Sequence, residues 1–200
     1  NCYQLRTGQA RRWDAWLALE GDGASLARAA NAPLIPVAEP AEAIATGVWD
    51  AIVPAGAPET EDYDRWAANL FDDYIHAIKD MRDYGAMNWG DWFGERQVNW
   101  GNHQYDTTNQ ILIQFARTGD PKYFCAADTA ARHSSEVDTV HYVNDDLADY
   151  FAQWQRPGSP SRPGMVHQHA VGHVGGFYPV ERITELYIEH GIGHPQHPYV

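Results

Sequence analysis

Apolar residues recur at three- and four-residue steps from residue 63 onward: Tyr63, Trp66, Ala67, Leu70, Phe71, Tyr74, Ile75, Ile78 and Met81. That period is helical and draws one wide apolar stripe over roughly six turns. Thr60 is the expected N-cap, the acids that follow suit the helix dipole, and Gly85 is the expected stop. A second helix is predicted from about Tyr105 to Thr118, with Ile111, Leu112, Phe115 and Ala116 inward. Gly119, Asp120 and Pro121 then supply a stop, an N-cap and an N1 proline in succession. A third helix runs to about Ser135 and is expected to bury Phe124, Ala127 and Ala131. So short a turn requires these two helices to pack antiparallel. A short helix over Asp145–Trp154 and a last one from Pro179 to Gly191 complete the pattern, separated by a Pro/Gly-rich loop at 156–164 and a glycine-punctuated loop at 165–178.

The first 57 residues read differently. Tyr3–Thr7 and Trp13–Leu19 look like strands, closed by Gly21, Asp22 and Gly23, and Ser25–Ala30 like one short helix. Pro33, Pro36, Pro40, Pro54 and Pro58 then exclude long helices. The expected organisation is the end of a β-rich domain and a linker over 1–57, then helical hairpins over 58–200. The chain opens at Asn1 and closes at Val200 within a Pro/His-rich segment, so it reads as a piece of a larger protein.

Charge and composition narrow the function. The formal charge is −13 with no basic run. Phosphate binding needs clustered Lys and Arg, so nucleic acid is not the expected partner. No apolar run approaches the ~20 residues of a membrane span. Cys2 and Cys125 fit no metal spacing, and their pairing stays open. Eight Trp and eleven Tyr favour carbohydrate, because an aromatic face stacks on the apolar face of a pyranose.

Those aromatics concentrate in Asn88–Asp106, a glycine-punctuated stretch expected to be a loop. Trp89, Trp92 and Trp100 are candidate stacking platforms, and Arg96 is a candidate bidentate ligand for a substrate carboxylate. Asn102, His103 and Tyr105 form an eliminase-like set. An amide or imidazole that neutralises a uronate carboxylate acidifies the adjacent C5 proton; a base removes it and an acid protonates the leaving oxygen. Downstream, His169 or His173 could transfer the second proton, and His167 could contact sugar. In a strand His167 and His169 would share a face; on a helix His169 and His173 would. Zinc binding by these three lacks a completing acid or cysteine, so no cofactor is expected, with calcium or zinc left open. Asp91, Glu95 and Asp106 offer an alternative, paired-carboxylate hydrolysis. Arg132, His133, His141 and Tyr142 read as an exposed helix end with basic residues favourable to the dipole.

The segments Asn88–Arg96, Trp100–Asp106, Thr118–Tyr123 and His169–Gly176 together resemble the exo-rhamnogalacturonan lyase-like polysaccharide lyases, which are also similar to some ulvan lyases. The likeness spans roughly residues 45–200. It implies a large secreted or periplasmic enzyme with an (α/α) toroid flanked by β-domains, in which this chain supplies the end of a β-domain and the opening hairpins of the toroid. It implies β-elimination of an acidic, uronate-containing polysaccharide such as pectic rhamnogalacturonan, with the rest of the parent polypeptide as a further partner. An α/α hydrolase and a non-catalytic carbohydrate-binding or scaffold piece are the alternatives. The net charge of −13 runs against a polyanionic substrate at long range, so local arginines must overcome it.

Overall fold

A computed structural model of the chain describes residues 9–32, 34–85, 88, 92–93, 99–100, 106–144, 163–170 and 174–179, the strand segments at 92–93, 99–100, 167–170 and 174–179 by their backbone. Among these the architecture is mainly helical. The helices are α1 (Gly23–Ala30), α2 (Pro40–Ala45), α3 (Glu61–Met81), α4 (Thr107–Thr118) and α5 (Pro121–Glu136), with a 3₁₀ turn at Pro58–Thr60. Two small antiparallel pairs accompany them: β1 (Trp92–Phe93) with β2 (Asn99–Trp100), and β3 (Met165–Ala170) with β4 (Val174–Pro179).

The α4–α5 turn forms as its residues dictate. Gly119 takes the left-handed conformation at φ 69°, and its N–H donates to the Phe115 carbonyl. Asp120 caps α5 by accepting from the Lys122 N–H, and Pro121 opens the helix where no N–H is needed. A Cβ at 119 would meet Val37 Cγ1 at 3.4 Å, an ordinary packing distance, so it is the left-handed backbone of the turn that requires glycine. The stop of α3 differs from expectation. Arg82, not Gly85, adopts the left-handed cap at φ 59°, and the Asp83 N–H reaches back to the Ile78 carbonyl. Thr60 stands at the N-cap position without capping; its hydroxyl donates instead to Asp64 Oδ2 at 2.9 Å.

The core lies between three helices. Phe71 of α3, Ile111 of α4, and Tyr123 and Ala127 of α5 are buried together, with Tyr74, Ile75, Leu112 and Phe115 packed around them. The Phe71 and Tyr123 rings sit 4.5 Å apart in a tilted pair. On α5 the buried positions are Tyr123, Ala127, Ala130, His133 and Glu136 rather than Phe124, Ala127 and Ala131. The helix is turned because Phe71 takes Tyr123 as its partner, while Phe124 pairs with Phe115 at the edge. The wide stripe of α3 is only half covered: Ala67 and Phe71 are buried, whereas Tyr63, Trp66 and Leu70 are exposed on its other side.

The N-terminal expectation is corrected. Trp13–Leu19 is not a strand but irregular chain, with Trp13, Trp16, Leu17 and Leu19 all exposed. A strand needs a partner ladder, and no described segment supplies one. The predicted strand at 3–7 and the predicted helix at 145–154 lie outside the described residues, as does most of the one predicted at 179–191. Its first residue, Pro179, ends strand β4 instead of opening a helix. The short helix at 25–30 is present and extends back to Gly23, because the Asp22 carboxylate accepts from the N–H groups of Ala24 and Ser25. Asp14 to Ala45 therefore contributes two short helices and connecting chain, and residues 53–56 are tied to the helical core by hydrogen bonds.

Candidate functional site

Charge pairing sets the direction of the helices. At one end Arg117, near the C-terminus of α4, reaches Asp64, in the first turn of α3. Its Nη1 donates to Gln114 Oε1 at 2.9 Å, its Nε to the Val53 carbonyl at 2.9 Å, and its guanidinium lies 4.7 Å from the Tyr63 ring centroid. Gln114 in turn donates to the Tyr63 hydroxyl at 3.0 Å. Asp64 Oδ2 also accepts from the Gly56 N–H at 2.8 Å. Burial alone would push the Asp64 carboxyl up, but the Gly56 N–H, the Arg117 guanidinium and the Thr60 hydroxyl together hold it below its ordinary value.

With the start of α3 beside the end of α4, and Phe71 beside Ile111, α3 runs antiparallel to α4; α5 does so too. The end of α3, the start of α4 and the end of α5 therefore share the opposite end of the array. Both sequence motifs leave from that end. The aromatic stretch spans from α3 to α4, and the histidine hairpin follows the segment that leaves α5.

The aromatic stretch is anchored where it begins. Asn88 is fully buried, its Nδ2 donates to the Tyr74 hydroxyl at 2.5 Å, and its N–H donates to the Gly85 carbonyl at 2.9 Å. Within the stretch, Trp92 is the register partner of Trp100 and Phe93 of Asn99. The stretch is thus not a simple loop: it holds a short antiparallel ladder that sets positions 92 and 100 side by side.

Where the stretch ends, Asp106 takes the left-handed conformation at φ 54° and accepts from the Gln110 N–H at 3.0 Å through its carbonyl. Burial raises its carboxyl above the ordinary value, and Asn109, near enough to oppose this but without a cap bond, offsets only part. The folded chain therefore holds the Asp106 proton more tightly than the unfolded one. Its ionisation costs stability as pH rises from 3.8 through the raised value, and the cost is complete at neutral pH. Asp106→Asn removes that cost, and asparagine tolerates left-handed backbone well. We expect a gain of stability in urea unfolding at pH 7 and none below the unfolded value. A loss of stability at pH 7, or an equal gain at both pH values, would contradict this.

The histidine segment is a hairpin, not a loop. His167 pairs in register with Phe177 and His169 with Gly175, so positions 167 and 169 fall on one face of β3. Gly175 and Gly176 lie within β4, where an absent side chain is tolerated opposite His169 and Gln168. Asn102, His103, Tyr105, His173, Trp89 and Arg96, with Asp91 and Glu95, lie outside the described residues.

The end of α5 holds a polar cluster that the sequence reading placed in solvent. His133 is fully buried and Asp138 nearly so, with His133 Nε2 3.4 Å from Asp138 Oδ1. Beside them Arg11 Nη1 pairs with Glu136 Oε2 at 3.0 Å, and the Ala10 N–H donates to the Glu136 carbonyl. His141 and Tyr142 are exposed, as expected. The missed signal was spacing: His133 continues the inward series Tyr123, Ala127, Ala130 by one three-residue step. Arg117 likewise continues Ile111 and Gln114. Among the described residues no three His, Cys, Asp or Glu side chains form a group able to hold a metal ion. Cys125 is an exposed thiol.

No family model, curated protein or solved structure matches the chain.

Proposed function

We propose that the chain is part of an (α/α) toroid polysaccharide lyase that cleaves a uronate-containing polymer by β-elimination. One observation carries the reading: antiparallel α3, α4 and α5 send the aromatic stretch and the histidine hairpin out from the same end. On this reading the stacking groups and the proton-transfer groups serve one cleft. Asn102 and His103 neutralise the substrate carboxylate, Tyr105 acts as base or acid, and His169 or His173 handles the second proton. Trp89, Trp92, Trp100 and His167 bind sugar, and Arg96 grips a carboxylate. The substrate class is pectic, rhamnogalacturonan-like polysaccharide, and the setting is secreted or periplasmic. Asp106 favours a second reading, an inverting or retaining hydrolase, because a half-buried carboxyl whose proton affinity burial raises suits a general acid.

Product chemistry separates the two. The complete protein is incubated with rhamnogalacturonan and ultraviolet absorbance is followed. Elimination gives an absorbing unsaturated uronate at the new non-reducing end. Saturated products carrying water-derived oxygen would end the lyase reading, and binding without turnover would leave a carbohydrate-binding role. With a net charge of −13 on the chain, we also expect turnover of a polyanion to rise with moderate salt.

A further inference from the structure

The segment that leaves α5 does more than connect. The N–H groups of Val137 and Asp138 both donate to the His133 carbonyl, at 2.8 and 3.2 Å, and the Thr139 hydroxyl donates to the Ser134 carbonyl at 2.9 Å. Thr139 then forms an antiparallel bridge with Val166 of β3. The Val140 N–H donates to the Met165 carbonyl at 2.8 Å, and the Gly164 N–H to the Val140 carbonyl at 2.8 Å. Met165, the first residue of β3, is fully buried. So β3 is held between β4 on one side and residues 139–140 on the other.

We infer that His133 and Asp138 are positioning residues, whose buried pair sets where the histidine-bearing strand β3 stands at the end of the helix array. His133 lies on the rigid last turn of α5. Asp138 begins the short segment that bridges to β3, one residue before Thr139. His133 Nε2 and Asp138 Oδ1 approach to 3.4 Å, an ion-pair distance rather than a hydrogen-bond geometry, and this buried contact acts with the Val137 and Asp138 N–H bonds to the His133 carbonyl to fix the angle at which the segment leaves the helix. The Arg11–Glu136 pair on the same turn holds the adjoining chain and adds one charge of each sign beside it. Burying a histidine and an aspartate is costly unless each faces a partner, so breaking their contact should loosen the connection it spans. What β3 presents to a substrate rests on the lyase reading; where β3 stands does not.

The test uses the whole chain and reads the amides of Val140 and Gly164 by hydrogen exchange. Asp138→Asn keeps the shape and removes the charge from the 3.4 Å contact; both amides should exchange about fivefold faster, while those of Ile111 and Ala127 stay within about twofold. Asp138→Ala should exceed tenfold, and if that variant does not fold, Asp138→Asn decides alone. His133→Gln, which keeps a polar side chain of similar reach beside Asp138, should stay within about twofold of the parent. Unchanged exchange at Val140 and Gly164 in Asp138→Asn, or an equal rise at Ile111 and Ala127, would overturn the inference. On a uronate polymer Asp138→Asn should lower kcat about fivefold with KM nearly unchanged. An unaltered kcat beside local loosening would overturn the positioning role. If the parent protein eliminates no uronate polymer, the lyase reading fails and the exchange result still decides this one.

Discussion

Replacing Arg117 with alanine is expected to lower the unfolding free energy by about 2–3 kcal/mol, the cost of removing a buried guanidinium from its hydrogen-bond partners and from a part-buried carboxylate. The Arg117 side chain is 4% exposed and spreads three nitrogens over Asp64, Gln114 and the Val53 carbonyl while lying against the Tyr63 ring. Alanine leaves the Asp64 carboxylate without its cation and the Gln114 carbonyl oxygen without its donor. Lysine should recover only a small part, because one ammonium cannot replace a planar fork with three acceptors. Urea unfolding of both variants at neutral pH is the measurement, and a loss below about 1 kcal/mol for the alanine variant would show that the network is dispensable. The pH dependence follows from the same contacts. The folded carboxyl of Asp64 lies below its ordinary 3.8, so its contribution is present above that value and is lost as pH falls through the depressed one. Arg117→Ala should therefore flatten the acid limb of the stability curve.

The second large effect concerns chemistry. Tyr105→Phe is expected to reduce elimination of a uronate polymer by about 10²–10⁴-fold, the range of a general acid or base. Tyr105 directly precedes Asp106, the residue whose left-handed backbone opens α4. Initial rates of unsaturated-product formation measure the loss, and thermal unfolding checks that the fold stays within about 1 kcal/mol of the parent. Full activity in this variant would remove Tyr105 from the mechanism and turn attention to the histidines of β3.

Much of the helical frame was legible because its signals are local. The three-residue turn at 119–121 needs only the φ freedom of glycine, the cap of aspartate and the missing N–H of proline, and it forms as read. The stripe of α3 announced a long helix for the same reason. Which half of that stripe is covered was not legible, because coverage depends on the paths of α4 and α5. The hairpin at 165–179 is hidden from the sequence for a related reason. Its glycines argued for a loop, while the ladder that admits them is supplied by a partner strand and by residues 139–140. The aromatic stretch was misread in the same way, since a two-residue ladder has too few positions to show alternation.

The buried polar groups were the hardest to foresee. Nothing in the types of residues 132–133 separates a solvated helix end from a buried histidine facing an aspartate five positions on. Only the three-residue step from Ala130 told of it, and that step acquires meaning once Tyr123 has been chosen to face Phe71. Arg117 is the same case at the other end.

By itself, then, the sequence determined the long helix α3, the α4–α5 hairpin with its turn at 119–121, and which aromatic, histidine and asparagine residues are at hand for chemistry, because period, caps and composition act over one or two turns. The tertiary structure decided the directions of α3, α4 and α5 and so the end from which both motifs emerge. It also decided which charges are buried, because a guanidinium such as that of Arg117 is covered only where packing brings a carboxylate like Asp64 within its reach.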